Sequence, residues 1–208
     1  MKEFLQARIE LAKYLAENVR GAHYADVVLI LTAVISACAS RRWPGTGIDR
    51  KRFVELLVRY SPPHFHTSWI SLPDLLGDYP DALIRPPGIP DTSIRCGEDV
   101  DKDYREAEGS FSDYRPEQIR KHSYATLIYE RLRCGYAHEY WAGGNNVTHV
   151  PPSSQKARVT YIARGTPRGF RRMLAFHLEY LIDLSAHHAA NLPEEACKEP
   201  PTWWIDGG

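Results

Sequence analysis

Apolar residues at Phe4, Leu5, Ile9, Leu11, Ala12, Leu15 and Val19 follow a helical spacing and predict an amphipathic helix over residues 2–19. Gly21 interrupts it. A second helix is predicted from about His23 to Arg42, and its middle, Val27 to Ser40 (VVLILTAVISACAS), carries no charge on any side. This run of 14 residues is shorter than the roughly 20 that a membrane-spanning helix needs. It therefore predicts the central helix of a bundle, touched on several sides. Trp43-Pro44-Gly45 ends it. Asp49 can cap a third helix over 50–60, whose Phe53, Leu56, Leu57 and Tyr60 form an apolar stripe.

From residue 61 to 115 the periodicity is lost. Pro62, Pro63, Pro73, Pro80, Pro86, Pro87 and Pro90 fall here, and only 69–76 has the apolar content for a brief helix. Residues 91–113 hold eight acids against three bases, which predicts an acidic surface loop. Connections this long are uncommon in a compact domain, so 61–115 reads as a loop insertion in a single domain spanning 1–190. Pro116 with Glu117 beside it starts a long helix, PEQIRKHSYATLIYERLRCGYAHEYW, which stops at Gly143-Gly144. A hairpin is predicted next, 146–150 and 157–163 around Pro151-Pro152-Ser153-Ser154. Thr166-Pro167 then caps a last long helix over 167–190, buried along Phe170, Met173, Leu174, His177, Leu178, Leu181, Ile182 and Leu184. The acidic, Pro-rich tail 191–208 carries Trp203-Trp204, expected to dock on its own domain. No internal repeat or sustained heptad is present. The fold class is mainly α: an up-and-down helical bundle with a small β-hairpin before the last long helix and a Pro-rich loop insertion.

Composition narrows the function. The chain has 208 residues, 43% hydrophobic and 25% charged, an ordinary globular balance. Lys plus Arg and Asp plus Glu are both 26, for a net charge of zero. There is no overall basic excess of the kind a dedicated nucleic-acid binder shows, although a local basic face remains open. No apolar signal core follows Met1-Lys2-Glu3, which points to a cytoplasmic protein with no membrane partner. Cys38, Cys96, Cys134 and Cys197 lie far apart without a C-x-x-C pair, so they read as reduced thiols. His64 with His66, and His187 with His188, lack an acidic or Cys partner at a ligand spacing, so no metal is assigned. No Gly-rich phosphate loop or G-x-S-x-G elbow occurs, and no cofactor is implied.

The densest candidate chemistry is Tyr129-Glu130-Arg131-Leu132-Arg133-Cys134-Gly135-Tyr136-Ala137-His138-Glu139-Tyr140. Arg131 and His138 are seven residues apart and share a helix face. Arg133 and His138 are five apart, roughly 140° around the axis. Gly135 costs a helix interior about 1 kcal/mol and allows close approach of a partner. A solvated or salt-bridged surface, with Glu130 or Glu139 pairing an arginine, accounts for the same residues without catalysis. A second basic stretch, Lys156, Arg158, Arg164, Arg168, Arg171 and Arg172, contains no acid between 156 and 172. Placed in the first turns of the predicted last helix, Arg168, Arg171 and Arg172 join the positive end of a helix dipole, suited to phosphate. A solvated charge run that balances the acidic insertion fits them equally.

Arg133-Cys-Gly-Tyr-Ala-His138 resembles the R-x-x-x-x-H motif of the HEPN superfamily, the higher-eukaryote and prokaryote nucleotide-binding domains. The helix order around it is similar too, over most of the chain outside the insertion and tail. The resemblance implies a metal-independent endoribonuclease acting as a homodimer, with RNA as substrate and a cognate inhibitor protein as a further partner, as in toxin–antitoxin pairs. It implies that Arg133 clamps the scissile phosphate and His138 does acid–base work, with Arg131, Tyr136 and Glu139 shaping the substrate cleft, to which the basic stretch adds Arg168, Arg171 and Arg172 as substrate contacts. Family members usually carry a polar residue directly after the arginine, where this chain has Cys134. That departure keeps a second reading open: a catalytically silent HEPN-type dimerisation, interaction or nucleotide-binding module.

Overall fold

The computed structural model describes residues 1–18, 24–78, 95–139, 158–166 and 169–208. Its centre is α2 (Tyr24–Arg42). Val27, Val28, Leu31, Val34, Ile35 and Cys38 are buried on every side of this helix, because α1 (Lys2–Asn18), α3 (Asp49–Tyr60), the helical segment at 124–139 and α9 (Leu178–Ala190) all pack against it. By length and composition alone α2 could cross a membrane, yet more than half of it is covered by the bundle. The protein is mainly α, with a small antiparallel sheet before the last helix.

The insertion is more ordered than a surface loop. It contributes α4 (Leu72–Asp78), β1 (Arg95–Cys96) and α5 (Tyr104–Ser110). Ile70, Leu72, Leu75, Ala107 and Phe111 from it bury against Ile119 of α6 (Pro116–Arg120), forming a satellite core. Asp103 caps α5 by accepting from Arg105 N at 3.0 Å. An acid-rich stretch thus forms a helix because one of its acids satisfies an orphan amide.

Two predicted spans are corrected. The helix starting at Pro116 ends at Arg120, and a new one begins at Tyr124 with Ser123 as its N-cap. Ile70 bridges Ser123, and Ser71 N donates to His122 O at 3.0 Å, so the insertion intervenes between the two helices. The last helix begins at Leu178, and the residues predicted as its first half form β3 (Gly169–Phe176). β3 pairs antiparallel with β2 (Val159–Thr166), whose other edge takes β1. Apolar residues at 170, 173, 174 and 178 suit a helix, but Val159 opposite Phe176 and Tyr161 opposite Leu174 bury four side chains across the ladder. That pairing outweighs local periodicity. The predicted strand at 146–150 lies outside the described residues.

The tail docks as expected. Trp203, Trp204 and Ile205 are buried in the main core. Trp204 N donates to the buried Glu55 carboxylate at 2.7 Å, and Trp204 O accepts from Arg120 at 2.7 Å.

Candidate functional site on a bulged helix

Residues 124–139 form one helical path: α7 (Tyr124–Leu127), a π-helical segment (Ile128–Cys134) and α8 (Gly135–Glu139). Its first amides find carbonyls in the insertion, Tyr124 N to Trp69 O and Ala125 N to Thr67 O, both at 2.9 Å. Buried Leu127, Ile128, Leu132 and Tyr136 fix the helix on α2 and α3. The π turns close i→i+5 bonds, which widens the helix and rotates the following residues relative to an α-helix. Such bulges are frequent at functional sites.

The structure separates the two candidate arginines. Arg131 ion-pairs with Asp74 of α4, and both are largely buried. The other Asp74 oxygen lies 2.8 Å from Nδ1 of buried His122. Burial alone would raise the Asp74 carboxyl, but the His122 hydrogen bond and the Arg131 charge overcome it and hold the group below the usual carboxylate range. Arg133 is half-buried, with its guanidinium 5.4 Å over the Tyr129 ring and 3.7 Å from Cys134 Sγ. His138 is exposed. Tyr136 is not a surface residue: it is buried edge-on to Tyr24 at 6.1 Å, and its hydroxyl has no hydrogen-bond partner among the described residues. Burial pushes that phenol up to about 12. Glu139 closes α8, and its side chain lies outside the described residues.

The basic stretch is rearranged. Arg168 lies outside the described residues. Arg171 and Arg172 sit on β3 opposite Arg164 and Ala163, not at a helix N-terminus, so the dipole argument no longer applies. The register instead sets two arginine positions, 164 and 171, directly across the ladder. Arg158 is engaged with Glu98 at 2.5 Å.

A polar cluster beneath the helix carries no motif. The buried Asp101 carboxylate accepts Tyr124 Oη at 2.5 Å, Tyr161 Oη at 2.6 Å and Leu72 N at 3.0 Å. Ser71 Oγ lies 2.7 Å from the Tyr161 oxygen. Burial pushes Asp101 up to about 7, against the pull of the two phenols. The cluster joins the insertion, the motif helix and the hairpin through one oxygen. Nothing local in the sequence marks it, because its members come from four separate segments.

The histidine pairs serve packing. His188, buried and pushed down to about 3 by burial, lies 2.9 Å from Ser61 Oγ, and His187 lies 3.1 Å from Tyr60 O. His66 stacks on Trp69 with ring centroids 4.0 Å apart. None of the four cysteines forms a disulfide with another. Among the described residues, no group of three or more His, Cys, Asp or Glu side chains is placed to hold a metal ion.

Fold and site together define a mainly α domain whose polar candidates gather on one bulged helix braced by an insertion. No protein-family model, curated protein or solved structure matches the chain.

Proposed function

We propose that this is a HEPN-like, metal-independent endoribonuclease of the cytoplasm that works as a homodimer, with motif helices of two copies facing each other. The observation that carries the reading is the contrast between the two arginines. Arg131 is committed to Asp74, whereas the described contacts of Arg133 lie within its own helix, just below an exposed His138. Arg133 lies in the π-helical segment and His138 in the α-helical turn after it, so the angle between them departs from the roughly 140° of an uninterrupted α-helix. A two-fold arrangement lets the arginine of one copy meet the histidine of the other.

In this reading Arg133 holds the scissile phosphate through paired hydrogen bonds and offsets its developing charge. One His138 takes the proton of the RNA 2′-hydroxyl, and the freed oxygen attacks phosphorus. The P–O5′ bond breaks, and the second His138 delivers a proton to the leaving oxygen. The products are a 2′,3′-cyclic phosphate and a 5′-hydroxyl. The buried Tyr136 hydroxyl supports a role in shaping the cleft floor more than in contacting phosphate. A cognate inhibitor protein fits the same cleft.

A second reading, a silent interaction or nucleotide-binding module on the same scaffold, is favoured by Cys134. Its sulfur accepts from Arg133 where active HEPN proteins usually carry a polar side chain. Incubation with a structured RNA in EDTA decides between them. Cleavage to cyclic phosphate by the wild type, absent in His138→Ala of unchanged fold, supports the ribonuclease. Equal cleavage by both proteins overturns it, and binding without cleavage supports the silent module.

A further inference from the structure

α1 has two apolar faces, and only one is used. Leu5, Ile9 and Ala12 are buried against α2 and α9. On the opposite side Phe4, Leu11 and Tyr14 are 60%, 38% and 58% exposed. They belong to the series Phe4, Ala7, Leu11, Tyr14 and Asn18, spaced three and four residues alternately, which at about 100° per residue keeps all five within about 80° of one face. Met1, beside its start, is also exposed. Together Met1, Phe4, Leu11 and Tyr14 are four of the five exposed large hydrophobic side chains among the described residues. One helix therefore concentrates the outward apolar surface of the molecule.

The charges beside the stripe select its occupant. Glu3, Glu10 and Glu17 run along one flank at seven-residue intervals, and Arg8 lies on the other flank. We propose that the outer face of α1 pairs with the same face of a second copy of this chain, the two helices parallel and in register. In that arrangement Glu3 of each copy lies beside Arg8 of the other, twice by symmetry. Antiparallel pairing sets the acid rows together, Glu10 against Glu10 and Glu3 against Glu17, and is disfavoured. Asn18 occupies the stripe position at which a polar pair across the two-fold axis fixes parallel register. Among the described residues its amide donates to Tyr14 O of its own helix (3.2 Å). Arg8 lies 5.0 Å over the Phe4 ring, on the flank that meets Glu3 of the second copy. The acidic flank disfavours an anionic lipid surface.

This contact is separate from the motif-helix pairing proposed above and stands whether or not the chain cleaves RNA. Sedimentation over the micromolar range tests it, because the three substituted side chains, Glu3, Arg8 and Leu11, are exposed and their replacement leaves the core intact. Leu11→Glu is expected to weaken association more than about tenfold by placing two carboxylates in the seam. Glu3→Arg and Arg8→Glu are each expected to weaken it roughly fivefold, and the double variant to restore it. If the motif helices also pair, Leu11→Glu reduces the assembly to that smaller unit. Coincident sedimentation of wild type and Leu11→Glu overturns the proposal, as does a double variant that fails to recover. A wild type that stays monomeric while binding phosphatidylglycerol vesicles also overturns it, in favour of a lipid surface.

Discussion

Arg131 of the motif helix is ion-paired with Asp74 of the insertion, 20% and 15% exposed respectively. The pair fastens a helix to a segment that enters the chain some fifty residues earlier, and it shares its carboxylate with buried His122.

Removing that carboxylate takes the ion-pair partner from the largely buried Arg131 guanidinium. Asp74→Ala is expected to lower stability by about 3 kcal/mol, read from urea unfolding. The depressed Asp74 value also sets a pH signature. Its contribution is complete above the ordinary carboxyl value and is lost as pH falls through the lower folded-state value. The gap between wild type and Asp74→Ala should therefore narrow in acid, below about pH 4.

The two arginines should part in mutagenesis. Arg131→Ala breaks the ion pair, so it should lower the unfolding midpoint and, through it, activity. Arg133→Ala gives up only contacts within its helix and should leave the midpoint within about 0.5 kcal/mol while abolishing RNA cleavage. A matched loss of cleavage and midpoint in Arg133→Ala would count against its role at phosphate.

Asp101 works in the opposite sense from Asp74. Its folded-state value, raised to about 7 by burial, means the native protein holds this proton more tightly than the unfolded chain. Stability is then greatest below the ordinary carboxyl value and falls as pH rises to about 7, by roughly 4 kcal/mol at 1.36 kcal/mol per pH unit. Asp101→Asn should flatten that decline in unfolding curves taken at successive pH values.

Gly97 guards the same cluster. A Cβ there would collide with the Tyr124 hydroxyl and crowd the Asp101 carboxylate and Val159. Gly97→Ala is expected to cost about 1–3 kcal/mol by overpacking, with loss of amide protection at Tyr124 and Leu72 in hydrogen exchange.

The tail should be worth as much as a core element. Trp204→Ala removes a buried indole packed on Tyr104 and Arg120 and is expected to cost about 3–5 kcal/mol. Calorimetry should show one transition at a lower temperature, since Trp204 lies in the main core.

What sequence could reveal depended on whether the deciding contact was local. α1, α2 and α3 are legible because 3.6-residue periodicity and uniform apolarity report burial directly. The stretch 169–176 misleads because Phe170, Met173 and Leu174 suit a helix and a strand alike, and the choice rests on pairing with Val159 and Tyr161. The insertion misleads in composition: acids that suggest a solvated loop instead cap a helix at Asp103 and anchor a buried network at Asp101. At the site, Arg131, Arg133 and His138 are visible as a cluster. That Asp74 claims one arginine is not, because 57 residues separate the pair.

The arrangement around α2 also sets an order on the life of the nascent chain. This apolar helix is complete once residue 42 is made, but the surfaces that cover it include α9 and Trp203 from the far end of the sequence. At roughly 5–20 residues per second, those covers emerge some 10 to 30 seconds later. Until then one side of an apolar helix stays open to chaperones, and a premature stop before Leu178 leaves the side that α9 covers without its partner.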